Sequence, residues 1–364
     1  MTHPARTALV LQGGGALGAF EFGAVRALYE KNLAPDVIAG VSIGAITAVL
    51  LARPAGGKPL DALAAFWKKV TVPGELLPPP LRPYASFWGN PHFFTPRLDY
   101  LNWLTWTYFY HTEPLRRTLG ELVDIDKLQQ PGADPLLLVS ATNVAKGEIE
   151  YFDSRQGLQL DHIMASGSLP PAFPMTVIDQ PPPIGEQSYW DGGLFDNTPL
   201  GAVLDRLDPS PDAERTIYVV NLFPNKGPLP GNMPGVAERM KNLQFANKTL
   251  EDIKLLCRFN EVAELMQALD SLPDDHAIKQ HAAYQAMKRR GYVRVPRIVA
   301  ITPPEPSEEF ADADFSPEAL VRREKQGYDL AQKALAAGPQ DPCSLLNDEA
   351  ARAAMHAAPT ANPT

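Results

Sequence analysis

The chain has 364 residues, 45% hydrophobic and 21% charged, the proportions of a globular protein with length for one large α/β domain or two small ones. With 33 basic against 42 acidic side chains the formal charge is −9, which speaks against a nucleic-acid binder and its basic stripe. Peripheral membrane contact through a local apolar patch is compatible with that charge.

Two cysteines, Cys257 and Cys343, form no CxxC, so neither structural zinc nor a disulfide framework is expected, and a reducing cytoplasm is the natural location. Met1 to Arg6 lead straight into a strand without the apolar core of a signal peptide, and no run of about 18 apolar residues predicts a membrane span. No metal or cofactor is expected.

In chain order, Thr7 to Leu11 is a short apolar run that stops at Gly13-Gly14-Gly15 and reads as a buried strand. Ala19 to Tyr29 has helical spacing, Val37 to Ala39 is a second strand, and Ile43 to Ala52 a second helix. Strand, glycine turn and helix, repeated, predict a parallel or mixed sheet with helices on its faces. Residues 71 to 97 are dense in proline and read as a long surface excursion. Tyr100 to Tyr110 is apolar nearly all round. Leu136 to Thr142 and Glu148 to Phe152 predict a strand pair, and Thr216 to Phe223 and Arg297 to Ile301 two further strands. Between these last two, apolar positions at helical spacing predict a helical excursion over 236–290. Ser316 and Pro317 open a helix running to Ala336, as N-cap and first helical residue. The expected organisation is an α/β hydrolase domain over 5–305, a helical extension over 306–346, and a disordered Ala-, Pro- and Thr-rich tail over 347–364.

Gly40-Val41-Ser42-Ile43-Gly44 fits G-x-S-x-G between a strand and a helix, the setting that thrusts a nucleophilic serine out on a strained turn. The bland alternative is a serine that only caps the helix. Gly13-x-Gly15-x-x-Gly18 opens the first helix and also satisfies a dinucleotide fingerprint, which makes a nicotinamide-dependent oxidoreductase the rival reading. That rival needs an acid at the far end of the second strand, yet Asp36 precedes the strand. In the hydrolase reading the backbone N–H groups of Gly14 and Gly15, with that of Ile43, face an oxyanion.

A serine hydroxyl needs a base. None of the histidines, at 3, 92, 111, 162, 276, 281 and 356, has a recognisable catalytic setting; His276 and His281 are the reserves for a histidine triad. Tyr189-Trp190-Asp191-Gly192-Gly193 places a carboxylate where a strand gives way to a glycine turn. Spacing alone does not single out Asp191 among the acids, since Asp-Gly is a common turn pair.

These motifs, in this order, resemble the patatin-like phospholipase family, which pairs a glycine-rich oxyanion loop, a G-x-S-x-G serine and a D-G-[GA] aspartate. A further block matches as Ala165-Ser166-Gly167-Ser168-Leu169-Pro170, with Phe173-Pro174 after it, and the resemblance spans roughly residues 5 to 205. It implies a three-layer α/β/α fold with a central mixed, mostly parallel sheet. It also implies a Ser-Asp dyad of Ser42 and Asp191, and an oxyanion site from the backbone of Gly13, Gly14 and Gly15. Leu17 departs from the arginine or lysine that the family's loop often carries, so an anion-contacting charge is missing. The implied partner is a lipid or other acyl-ester substrate. An aromatic stripe is more often core than site; the functional reading makes 71–110 a mobile, proline-hinged cover that meets lipid or closes over substrate, with Trp103, Trp106 and Tyr110 lining an acyl groove. A catalytically idle lipid-binding or scaffold protein is the third reading.

Overall fold

The computed structural model describes residues 6–74, 79–208, 210, 213–291 and 294–347; of the expected tail, everything after Asn347 lies outside the described residues. The chain opens with strand β1 (Thr7–Leu11), helix α1 (Gly18–Glu30), strand β2 (Val37–Gly40) and helices α2 (Ile43–Ala52) and α3 (Pro59–Val70). A finger follows, with the short strands β3 (Thr95–Pro96) and β4 (Tyr110–His111) as its stem, then helices α4 (Glu113–Leu122) and α5 (Ile125–Gln129). Next come β5 (Leu136–Asn143), β6 (Glu148–Asp153), α6 (Leu160–Ser166), β7 (Thr176–Gln180), β8 (Gly185–Asp191) and α7 (Leu200–Leu204). The chain closes with β9 (Thr216–Val220), the long α8 (Met233–Asp270), α9 (Ala277–Gln280), α10 (Ala282–Arg290), β10 (Arg297–Ile301) and α11 (Pro317–Ala337).

Among the described residues the main sheet has eight strands in the order β10-β9-β1-β2-β5-β8-β7, with β6 also on β5. From β10 to β5 every pairing is parallel; β6, β8 and β7 join antiparallel. The sheet is therefore mixed and mostly parallel. Successive side chains of a strand face opposite ways. Leu9 and Leu11 pack under α1, α2, α3 and α11, while Ala8 and Val10 pack against α7 and α8. Both faces are covered, which is why β1 reads as continuous apolar sequence rather than an alternation. The architecture is a three-layer α/β/α fold.

Helix α11 is stitched onto α1. A methyl on Gly327 would fall 2.0 Å from the Phe20 carbonyl oxygen, so the two helices cross backbone to backbone. Arg26 pairs with Glu324 and lies 4.4 Å over the Tyr328 ring. Ser316 is the N-cap residue and Pro317 stands in the first turn, although the Ser316 side chain makes no capping bond.

Two sequence expectations need correction. Residues 71–97 are not all surface: after a 3₁₀ stretch at Pro79–Trp88, Asn90, Phe93 and Phe94 are buried. Conversely, the apolar stretch from Tyr100 is not core. Tyr100–Thr105 forms a 3₁₀ turn in which no residue is buried, because β3 and β4 pair with each other and carry the segment between them away from the sheet. Thr216 to Phe223 is a strand only to Val220; the backbone amides of Leu222 and Phe223 turn to donate to the Gln12 side chain at 2.6 and 3.2 Å.

Candidate active site

Sheet register sets the heights of the two central side chains. Gly40 of β2 stands beside Val139 of β5, and Asp191 of β8 pairs with Ala141, two residues further along β5. Asp191 thus arrives level with the turn that follows Gly40, where the chain presents Ser42.

That turn is strained. Ser42 has φ 56 and ψ −122, a region non-glycine residues seldom occupy and one typical of a functional elbow. The bend presses Gly40 against Gly44: a methyl on Gly40 would fall 2.1 Å from the Gly44 carbonyl oxygen. Ser166 at the end of α6 accepts a hydrogen bond from the Ser42 N–H at 2.9 Å. The Ser42 side chain makes no capping bond to α2; it stands beside the Asp191 carboxyl and lowers its proton affinity.

Asp191 is 2% exposed. Its Oδ1 accepts from the Gly193 N–H at 2.7 Å, its own N–H donates to the Ser168 carbonyl at 2.9 Å, and Thr142 Oγ1 donates to its carbonyl at 2.9 Å. Burial pushes the carboxyl up to about 7, against the opposing pull of the nearby Ser42 side chain and the Gly193 hydrogen bond. An aspartate with that proton affinity is matched to neutral pH as a base.

The glycine loop lies across from the elbow. Gly13, Gly14, Gly15, Ser42, Ile43 and Asp191 line one cavity of about 380 Å³. A methyl on Gly13 would fall 2.5 Å from Asn197 Oδ1 and 2.9 Å from Ser42 Cβ, so only glycine fits between serine and asparagine. Asn197 Nδ2 donates to the Gly13 carbonyl at 3.0 Å, and Gln12 ties the start of the loop to Thr198 and Phe245. Glu21 is fully buried, which pushes its carboxyl well above the usual range, and its Oε2 accepts from Thr47 Oγ1 of α2 at 3.1 Å, which ties α1 to the helix behind the elbow. Sequence reading missed Asn197 and Glu21. Asp196-Asn197-Thr198-Pro199, a polar run directly after the aspartate turn, was the available signal for the first. Nothing local marks Glu21, an acid in the apolar first half of α1.

The rest of the cavity is aromatic. Phe93, Phe94, Tyr110, Phe173, Phe245 and Phe315 line it, with the Phe94 and Tyr110 ring centroids 4.9 Å apart. Of the three aromatic candidates only Tyr110 is part of that lining. Trp103 is 64% exposed, and Trp106 packs between Tyr100 and Phe109 with Arg97 4.7 Å over its ring; both stand outside the lining. Leu17 is buried in the core. The cationic lining residue is Lys241 of α8, neutralised by Glu238 at 2.7 Å and Asp312 at 2.9 Å.

None of the five described histidines lines the cavity. His276 and His281 accept hydrogen bonds from nearby amides and cap α9 and α10. His162 lies on the Phe152 ring, and burial pushes it down to about 4. The dinucleotide reading fares no better. Asp36 accepts from the Arg6 and Thr7 amides and the Thr7 hydroxyl, each at 2.8 Å, at the opposite end of β1 and β2 from the glycine loop.

Comparison with known proteins gives the family. A family model described as Patatin-like phospholipase matches residues 9–204, more than half of the chain, and a second described as Patatin phospholipase matches 243–343. The chain belongs to the patatin-like phospholipase family. It is 53% identical to a patatin-like phospholipase domain-containing protein of Pyricularia oryzae over 47 residues, 13% of this chain and 6% of that protein. Over 46 residues it is 54% identical to Triacylglycerol lipase 4 of Saccharomyces cerevisiae, 13% of this chain and 5% of the lipase. The matched segments are thus a small part of these relatives. Among solved structures, VipD from Legionella pneumophila overlaps with a TM-score of 0.40 at 18% identity, covering 93% of this chain and 68% of that one. Human GIVD cytosolic phospholipase A2 overlaps at 0.39 and 10%, covering 96% and 60%. Among the described residues no helix is long and apolar enough to cross a membrane.

Proposed function

We propose that the protein is a serine acyl hydrolase acting on lipid esters through a dyad of Ser42 and Asp191. The observation that carries this reading is a buried carboxyl, pushed up to about 7, beside a serine on a strained elbow in one apolar cavity. Asp191 takes the proton as Ser42 Oγ attacks the ester carbonyl. The tetrahedral intermediate collapses to an acyl-serine as the alcohol leaves, with Asp191 returning the proton to it. Water, deprotonated by the same carboxylate, then releases the acid. Direct contact between base and nucleophile makes the proton transfer intramolecular.

The developing oxyanion is met by backbone N–H groups of Gly13, Gly14, Gly15 and Ile43, aided by the positive end of the α2 dipole. Aromatic walls hold the acyl chain. No metal or cofactor enters this mechanism.

The test is covalent. A fluorophosphonate should label wild type at Ser42, and labelling should vanish in Ser42→Ala and fall steeply in Asp191→Asn. An Asp191→Asn variant that labels and hydrolyses esters like wild type would sink the dyad. Tight NADH binding by the purified protein would instead revive the oxidoreductase reading.

A further inference from the structure

The finger between β3 and β4 has the wrong surface for a segment that meets only water. Leu98, Tyr100, Leu101, Trp103 and Leu104 are 75%, 63%, 100%, 64% and 80% exposed, five large apolar side chains within seven residues. Trp88, on the neighbouring 3₁₀ stretch, is 81% exposed. Soluble proteins expose single apolar side chains freely but seldom a cluster of this density, which marks a surface that something covers.

The finger is built to hold that cluster in place. Its stem is the β3–β4 ladder, Thr95 facing His111 and Pro96 facing Tyr110, extended by the Arg97 N–H donating to the Phe109 carbonyl at 3.0 Å. Arg97 forms a fork with Asp99 through Nε–Oδ1 at 3.0 Å and Nη2–Oδ2 at 2.6 Å, and stacks 4.7 and 4.6 Å over Trp106 and Tyr108. The base is joined to the cavity: the Tyr110 N–H donates to the Ala172 carbonyl at 2.9 Å, the Tyr110 hydroxyl donates to the Phe87 carbonyl at 3.1 Å, and Tyr110, Phe87 and Ala172 all line the cavity.

Charge selects the occupant. From residue 84 to 112 the formally charged side chains, histidines aside, are Arg97 and Asp99, and they neutralise each other. Leu17 and the paired Lys241 leave the cavity without a free cation as well. A surface reading anionic lipid would carry lysines and arginines, each adding attraction to the headgroups. A tip of leucine with tryptophan and tyrosine, whose one carboxylate is neutralised by Arg97, matches the boundary zone of an electrically neutral bilayer, where aromatic rings bury one side and keep the other wet.

We propose that the tip at 98–104, with Trp88, inserts into the surface of a zwitterionic lipid bilayer and sets the cavity mouth against it, so that the ester passes from lipid to Ser42 without crossing water. This rests on the acyl-hydrolase reading for its purpose, but the docking is measurable without catalysis.

The experiment compares wild type with the double variant Leu101→Asp/Leu104→Asp, whose positions have no buried role to lose. Binding to phosphatidylcholine vesicles is measured by co-sedimentation, and turnover is followed on a water-soluble short-chain ester and on an ester dispersed in the same vesicles. Wild type should bind phosphatidylcholine, with little change when phosphatidylglycerol is added or salt is raised. Losing two apolar anchors should weaken binding about hundredfold, roughly tenfold each. Turnover in vesicles should fall in step while turnover of the soluble ester stays level. Binding of the variant as tight as wild type, or wild-type binding confined to anionic vesicles, overturns the proposal. So does a wild-type dimer that the double variant dissolves, which would make a second copy the occupant. If wild type binds vesicles through the tip yet hydrolyses neither ester, docking stands and the acyl-hydrolase reading fails.

Discussion

The floor of the cavity and its walls were built under different rules. The floor is three turns, at Gly13–Gly15, Ser42 and Asp191, each at the end of a sheet strand and each spelled out in a few adjacent residues. The walls come from distant stretches: the Phe93-Phe94 segment, Tyr110, Phe173, Phe245 of α8 and Phe315 just before α11. The floor must meet a fixed geometry to within fractions of an ångström, and that demand leaves a local signature in glycines and strained backbone. The walls must only be apolar and of the right volume, which many sequences satisfy and no short pattern records. Substitutions in the floor should therefore abolish chemistry with little loss of fold, whereas substitutions in the walls should shift substrate range or stability.

The sharpest break is Ser42→Ala, which should lower kcat for ester hydrolysis about 10⁴-fold or more, read by steady-state kinetics at constant thermal stability.

Asp191→Asn should lose about 10⁴-fold and show why the floor is a compromise. The unfolded carboxyl ionises near pH 4, while the folded one holds its proton to about 7. The native state therefore loses stability as pH climbs between those values, and no further above them. The asparagine variant escapes this, so the two proteins should melt together near pH 4. Above pH 7 the variant should be the more stable, by at most about 4 kcal/mol in denaturant titrations. In wild type the same proton makes kcat/KM rise with pH through about 7 and level off above it, because the base acts only when ionised. A profile flat from pH 5 to 9 would remove Asp191 as the base.

Gly13→Ala comes next. Its methyl would push Asn197 Oδ1 and Ser42 Cβ aside, and displacing one oxyanion donor should lower kcat about 10²- to 10³-fold while KM changes little.

Phe94→Ala tests the walls. It should raise KM for long acyl chains about tenfold and leave short-chain esters nearly unaffected, and an equal loss on both would blur the distinction between floor and wall.

The smallest kinetic effect is expected from Arg323→Met on α11. The Arg323 side chain is 7% exposed, donates to the Asp314 carbonyl at 2.8 Å, reaches the Ala16 carbonyl at 3.5 Å and lies 3.7 Å from the Asp314 carboxylate. Its removal strands a buried carboxylate and should destabilise by about 3 kcal/mol, with kcat of the folded fraction within about threefold of wild type.

Most strands and the helices α1, α2 and α11 were legible because apolar periodicity and turn residues are local properties. The elbow and the glycine loop were legible for the same reason. Asp191 was legible only in part: a carboxylate before two glycines is an ordinary turn, and its partner lies 149 positions back in the chain. The apolar run from Tyr100 misled because hydrophobicity predicts burial only when something is there to bury against, and the β3–β4 stem holds this run clear of the sheet.

The sequence by itself determined where the turns and strands stand, since a strained serine turn, a close-packed glycine loop and a buried strand each need particular side chains in immediate succession. Only the tertiary structure decided that serine and aspartate line one cavity, that the Asp191 carboxyl is driven up to about 7, and that aromatic rings from distant segments enclose them. The physical reason is range. Backbone geometry is set by neighbours along the chain, whereas desolvation and enclosure are set by whatever the sheet register and helix packing bring alongside.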